Sequence, residues 1–158
     1  MILPDVNPLI YAFRSDAPRH AVSRGWLRSV LSGDAAFGVS PLALAAVVRI
    51  TTNQRAFPDP SRLEEAFRFC DYLLEHPNCQ LVEPGERHWD IFKRLCIGTN
   101  TRGSRVTDAW FAALAIEWGC EWITFDRDYA RFPGLNWSRP TSPGWSFIPV
   151  GLLPAALR

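Results

Sequence analysis

Four aspartates stand where a carboxylate could do chemistry: Asp5, Asp108, Asp126 and Asp128. Asp5 closes the short apolar opening of residues 1–4, and Asp108 sits at the start of a helical run. Asp126 and Asp128 lie just past a short β-prone stretch. Carboxylates gathered in one crevice raise one another's pKa unless positive charge sits among them. A hard divalent cation meets that need. Mg²⁺ takes a few carboxylates and completes its octahedron with water, and Mn²⁺ suits the same donors. An ion so held activates water and stabilises charge developing on a phosphate oxygen. Read singly, each aspartate is an ordinary cap or turn residue. Asp5, Asp108 and Asp126 together ask for more, because they occupy topologically equivalent places.

The elements that must position them follow from the pattern. Residues 107–117 form a helix with Thr107 as N-cap and Asp108 in the first turn, where negative charge suits the helix dipole. Ala109, Ala112, Ala113 and Ile116 recur at helical spacing and let it lie close on a sheet. Gly119 stops it, and residues 121–125 make a strand that delivers Asp126. The N-terminus repeats the arrangement: strand, Asp5, then a helix over 8–13 with Pro8 in its first turn. In a parallel α/β sheet, strand ends and helix starts share one edge, where ligands bind. Asp5, Asp108 and Asp126 would face one crevice there.

Between these segments the spacing predicts helices over 19–31, 42–52, 61–75 and 86–97, with strands at 35–39 and 79–82. Ser40 caps the second of these helices, with Pro41 at its first position. Leu63, Phe67, Cys70, Leu73 and Leu74 face inward from the third, and Gly98 closes the fourth. Residues 99–105 form a polar loop, 129–132 a single turn, and 135–137 an edge strand. Alternating strands and helices specify an α/β domain around a mostly parallel sheet of four or five strands, flanked by helices in three layers. One domain spans 1–137, and the Pro-, Gly- and Ser-rich residues 138–158 form a C-terminal tail or edge wrap.

With 158 residues, 47% of them apolar, the chain can bury a sizeable core. A net charge of +1 implies no blanket polycationic binding. Lys93 is the only lysine among 17 basic residues, which reads as coding bias before it reads as phosphate recognition. Cys70, Cys79, Cys96 and Cys120 lack metal-ligand spacing and read as buried thiols. His20, His76 and His88 share no spacing with them and take solvent or cap roles. Ser40 and Ser104 lack a serine-hydrolase setting, and there is no glycine-rich phosphate loop. No apolar run reaches the length of a membrane span and the N-terminus is not a signal peptide, so the expected location is cytoplasmic. Of seven tryptophans, including Trp89, Trp118 and Trp145, most read as core or interface anchors, with Trp26 assigned to an interface.

Three runs together carry a family resemblance. Asp5-Val6-Asn7-Pro8-Leu9-Ile10-Tyr11-Ala12, the run from Thr107-Asp108-Ala109 through Ala112-Ala113-Leu114-Ala115-Ile116-Glu117, and Thr124-Phe125-Asp126-Arg127-Asp128-Tyr129 with Phe132-Pro133-Gly134-Leu135 resemble a PIN-domain ribonuclease of the VapC toxin type. The resemblance is in register from Met1 to about Trp137. It implies a Mg²⁺- or Mn²⁺-dependent endoribonuclease, the toxin of a toxin–antitoxin pair, held inactive by a small cognate antitoxin and expected as a homodimer. Asp5, Asp108 and Asp126 match the family's metal-site acids, and Asp128 matches an acid that supports them. Asn7 and Thr124 are nearby polar groups that would hold a water or a phosphate oxygen, or else simply cap. Arg127, Arg102 or Arg105 would orient the RNA backbone. The helices over 8–13, 19–31 and 61–75 would form an apolar groove for the antitoxin, with Trp26, Phe67 and Leu74 as its antitoxin-binding residues.

One departure stands out. The family often carries a Glu three residues before an Arg on the third helix; with Arg49 as that Arg, the matching position is Ala46. No acid lies between Asp34 and Asp59. The site is one carboxylate short, which leaves more waters on the ion or leaves a catalytically impaired module that binds RNA or antitoxin. A response-regulator-like phosphoryl-transfer domain also places an Asp after its first strand. It fits poorly, since Asn7 stands two residues on and Lys93 is mid-helix.

Overall fold

The computed structural model describes residues 1–141. Five short strands, β1 (Ile2–Pro4), β2 (Phe37–Val39), β3 (Cys79–Leu81), β4 (Glu121–Ile123) and β5 (Trp137–Ser138), form one sheet in the order β3-β2-β1-β4-β5. Every pairing is parallel, with Ile2, Leu3 and Pro4 opposite Glu121, Trp122 and Ile123. Six helices flank it: α1 (Val6–Phe13), α2 (His20–Ser32), α3 (Pro41–Thr51), α4 (Leu63–Leu74), α5 (His88–Thr99) and α6 (Val106–Trp118). The three-layer parallel architecture agrees with the expectation. Ser138, assigned to the tail, pairs within β5, and Thr124 N–H donates to its carbonyl at 2.9 Å. Residues 142–158, with Trp145, lie outside the described residues.

The core divides between the two faces of the sheet. Leu9, Ile10, Trp26, Leu27, Leu44, Val47, Cys70 and Leu73 pack on the α1–α4 side. Leu3, Ile91, Leu95, Phe111, Leu114, Trp122 and Phe132 pack on the side of α5 and α6. Consecutive burial of Phe111, Ala112, Ala113, Leu114 and Ala115 shows α6 enclosed nearly all round, which its small residues permit. In β2 the approach is closer still. A Cβ on Gly38 would stand 2.6 Å from Val82 Cγ2 and 3.2 Å from Leu3 Cδ1, so the strand has room only for glycine.

Several local expectations need correction. Trp26 is buried, 6% exposed, and belongs to the core rather than to an interface. On α4 the inward stripe is Ala66, Cys70 and Leu73, while Leu63, Phe67 and Leu74 are exposed. Packing against α3 selects the stripe that carries the small Ala66 over the one that carries Phe67. Ser40 stands at the N-cap of α3, but its buried hydroxyl makes no capping bond. α5 runs past Gly98 and ends at Asn100, which takes the left-handed conformation (φ 52°) that closes the turn. A 3-10 turn, Gly103–Arg105, leads directly into α6, so the N-cap position falls on Arg105 rather than on Thr107, which lies inside the helix. His88 is buried, with Nε2 3.0 Å from the Trp110 carbonyl and its ring 4.7 Å from the Trp110 ring.

Candidate active site

The strand order reverses between β1 and β4, because the chain covers one face of the sheet through β3 and the other face on its way to β4. Open α/β sheets bind ligands beyond the strand ends at such a point. Asp5 follows the last residue of β1 and caps α1, its Oδ1 accepting from Val6 N–H at 2.7 Å. Thr124 follows the last residue of β4. Its hydroxyl donates to Asp5 Oδ2 at 2.6 Å, and Asn7 Nδ2 donates to the same oxygen at 2.8 Å. Asn7 Oδ1 accepts from Phe125 N–H at 3.0 Å, and Thr124 Oγ1 accepts from Asp126 N–H at 3.0 Å. Asn7 and Thr124 therefore lock the ends of β1 and β4 together and aim Asp5.

Asp5, Asp108 and Asp126 line one cleft of about 480 Å³. Asp108 enters from the first turn of α6, and Asp126 caps the 3-10 turn Arg127–Arg131 by accepting from Asp128 N–H at 2.8 Å. Burial raises the Asp5 pKa to about 6; the hydrogen bonds from Thr124 and Val6 oppose the rise, and repulsion from Asp108 and Asp126 adds to it. Asp108 is raised by burial and then by Asp126, while Arg105 and a hydrogen bond from Tyr129 pull it back. The buried Tyr129 hydroxyl is pushed well above its ordinary pKa by burial and by the charges of Asp5, Asp108 and Asp126.

Asp128 sits outside the cleft lining, exposed, with Oδ2 3.0 Å from Arg105 Nη2. Arg102 donates to Asn100 Oδ1, and neither it nor Arg105 nor Arg127 lines the cleft. Arg49 is the one basic side chain among the described residues that do. Ala46, one turn earlier on α3, lines it as well, as do Tyr11, Ile50, Phe57, Phe111 and Tyr129. Arg49 and Ala46 are legible as motif positions. Tyr129 falls within a run that carries the family resemblance, without a role assigned to it, and Phe57 has no chemical signal in the chain.

The donor set suits a hard cation: carboxylates that repel one another and, at Asp5, are steadied by hydrogen bonds rather than by a basic partner. Among the described residues no group of three or more His, Cys, Asp or Glu side chains is arranged to hold a metal ion as it stands. Mg²⁺ is usually bound through one or two carboxylates and several waters.

Residues 2–135 match the PIN domain family model. Over 140 residues the chain is 38% identical to VapC ribonuclease Mb2897 of Mycobacterium bovis, covering 89% of this chain and 95% of that relative. The chain belongs to the VapC ribonuclease family of PIN-domain proteins. PIN-domain VapC nucleases generally depend on a divalent metal. Two solved structures share the VapC fold at low identity. VapBC2 of Rickettsia felis, bound to a promoter DNA fragment, aligns with a TM-score of 0.64 at 14% identity, covering 88% of this chain and 98% of that one. Mycobacterium tuberculosis VapC20, a sarcin–ricin-loop-cleaving toxin, aligns with a TM-score of 0.59 at 15% identity, covering 82% and 93%. No helix of this VapC-family chain, among the described residues, is long and apolar enough to cross a membrane.

Proposed function

We propose that this VapC-family protein is a cytoplasmic endoribonuclease, the toxin of a toxin–antitoxin pair, in which Asp5, Asp108 and Asp126 hold Mg²⁺ or Mn²⁺ and Asp128 supports them. One observation carries the reading. Three carboxylates from distant parts of the chain line a single cleft at the strand-order switch point. The ion would supply positive charge to the scissile phosphate and lower the pKa of a bound water. The chain's own residues do the rest. Thr124 and Asn7 fix the Asp5 carboxylate, whose value of about 6 leaves it ionised at neutral pH. Asp108 and Asp126 add charge at the same cleft, and Arg105 restrains Asp128 at its edge. The reaction is in-line attack of water on phosphorus with rupture of the bond to the leaving oxygen. The test is RNA cleavage with Mg²⁺ or Mn²⁺, in chelator, and by Asp108→Asn. Activity should require metal and vanish in the variant. The variant's melting temperature should hold or rise, because a carboxylate raised by burial and by Asp126 has been neutralised. Full activity in Asp108→Asn refutes the assignment.

The antitoxin belongs, on this proposal, in a second groove of about 420 Å³ between α1, α2 and α4, lined by Phe13, Leu27, Leu31, Arg68, Phe69 and Tyr72. Its apolar floor suits the face of an amphipathic helix. Phe67 and Leu74 lie on the exposed surface of α4 outside that lining. Tyr72→Glu should weaken antitoxin binding in calorimetry while the fold stays intact, and unchanged affinity would place the partner elsewhere. The homodimer implied by the resemblance is part of the same proposal, and sedimentation velocity reads it directly.

A further inference from the structure

The cleft has two kinds of wall. One carries the carboxylates. The other, from α1, α3 and the loop after α3, carries Tyr11, Ile50, Ala56, Phe57 and Arg49. Tyr11, Ile50 and Phe57 pack in part against the core on the α1–α4 side, yet Tyr11 and Phe57 are only half buried and also line the cleft.

Both rings are held by neighbouring side chains. The Arg14 guanidinium lies 4.4 Å from the Phe57 ring centroid. Arg14 is itself fixed by a two-pronged bond to Asp16, at 2.9 and 2.7 Å, and by donating to Ser61 Oγ at 2.8 Å and to the Asp59 carbonyl at 2.7 Å. That cluster staples the loop bearing Phe57 to the end of α1. Tyr11 rests against Phe125 with ring centroids 5.7 Å apart, and Arg19 covers Phe125 at 4.6 Å. Rings immobilised in this way lose little freedom when a planar ligand stacks on them. Arg49, exposed and without an ion pair among the described residues, supplies a guanidinium for a phosphate beside them.

We infer that Tyr11, Phe57 and Arg49 form a subsite for one unpaired RNA nucleotide next to the scissile phosphate, its base stacked on the rings and its phosphate on Arg49. The inference rests on the ribonuclease reading for its orientation. It deepens that reading by naming the side chains that would take up the base and the phosphate of that nucleotide.

The test removes stacking from the ligand and from the protein separately. The full chain, in chelator, is titrated with a short single-stranded RNA and with versions carrying an abasic ribose at each position in turn. At one position the abasic ribose should weaken binding between about 5-fold and about 150-fold, the range that base–aromatic stacking covers. Tyr11→Leu and Phe57→Leu should weaken the intact RNA and lose the response to that abasic position, while Phe57→Tyr keeps it and excludes a folding defect. Arg49→Gln should weaken intact and abasic RNA alike and flatten the salt dependence. A wild type indifferent to the abasic ribose at every position overturns the subsite, as do Leu variants that respond as the wild type does. Cleavage with metal is read separately. An abasic-sensitive protein that cuts no RNA overturns the ribonuclease reading and leaves the subsite standing, and a cutting protein indifferent to the abasic ribose does the reverse.

Discussion

Asp5 should make the metal-free protein less stable as the pH rises from about 4 to about 6, and Asp5→Asn should abolish that loss. Burial, with help from Asp108 and Asp126, raises its pKa from 3.8 to about 6 in the folded state. Below the unfolded value both states hold the proton, and the site costs nothing. Above about 6 both are ionised, and folding must bury the charge. The window between is where stability drains away. At about 1.36 kcal/mol for each pH unit of that window, the full span is about 3 kcal/mol. For a chain of this size that is on the order of 6 to 12 °C in melting temperature. Asp5→Asn has a defect of its own, since its amide nitrogen would face the Asn7 donor now 2.8 Å from Oδ2. That defect does not titrate, so it cancels when the pH dependence of variant and wild type is compared.

The assay is chemical denaturation of both proteins in chelator at closely spaced pH values. The difference in unfolding free energy, variant minus wild type, should grow by about 3 kcal/mol between pH 4 and pH 7. Added Mn²⁺ should stabilise the wild type at pH 7 and help the variant far less, because an ion that binds only the folded state adds its binding free energy to stability. Parallel curves in chelator would mean that Asp5 carries no buried charge, and the electrostatic account of the cleft would fall.

Other expectations follow from single contacts. Thr124→Val removes the donor 2.6 Å from Asp5 Oδ2, so the Asp5 pKa should rise further and the folded state should lose roughly 1.5 to 3 kcal/mol at neutral pH, read from the same denaturation series. Trp26→Ala should cost about 3 to 5 kcal/mol of stability, with no specific effect on partner binding beyond that loss, because Trp26 fills the core between sheet and helices. Ala46→Glu adds a carboxylate to the wall beside Arg49; Mn²⁺ titration should show binding tighter by about tenfold, the equivalent of about 1.4 kcal/mol. Identical affinities would put residue 46 outside the metal's reach.

What can be read from the chain alone is what topology enforces. A strand followed by an acid and a helix, twice, places Asp5 and Asp126 at one edge whatever the packing details, and Gly119 sets the length of α6. Side chains that come to the cleft only through packing are invisible. Phe57 sits in a loop with no motif, and its place depends on Arg14, 43 residues earlier, gripping Asp16, Asp59 and Ser61. On α4 two apolar stripes one residue apart share Cys70, and helical periodicity cannot choose between them. The space left by α3 does choose, in favour of Ala66 and Leu73. Trp26 misleads for the opposite reason. A large aromatic on an amphipathic helix suits an interface as well as a core, and only the docking of α1 on α2 decides.

The absence of an acid at Ala46 bears on how the cleft is balanced. A further carboxylate on α3 would stand beside Arg49 and would tend to engage it, drawing the guanidinium toward the metal side. With alanine there, Arg49 has no acidic partner among the described residues and lines the cleft beside Tyr11 and Phe57. On the proposed metal reading, the same alanine that withholds a possible ligand leaves an arginine available to phosphate. If substrate holding compensates for weaker metal holding, Ala46→Glu should tighten Mn²⁺ and loosen single-stranded RNA together. Arg49→Gln in that background should then cost little further RNA affinity. Both affinities rising together would show that α3 serves the metal and the nucleotide independently.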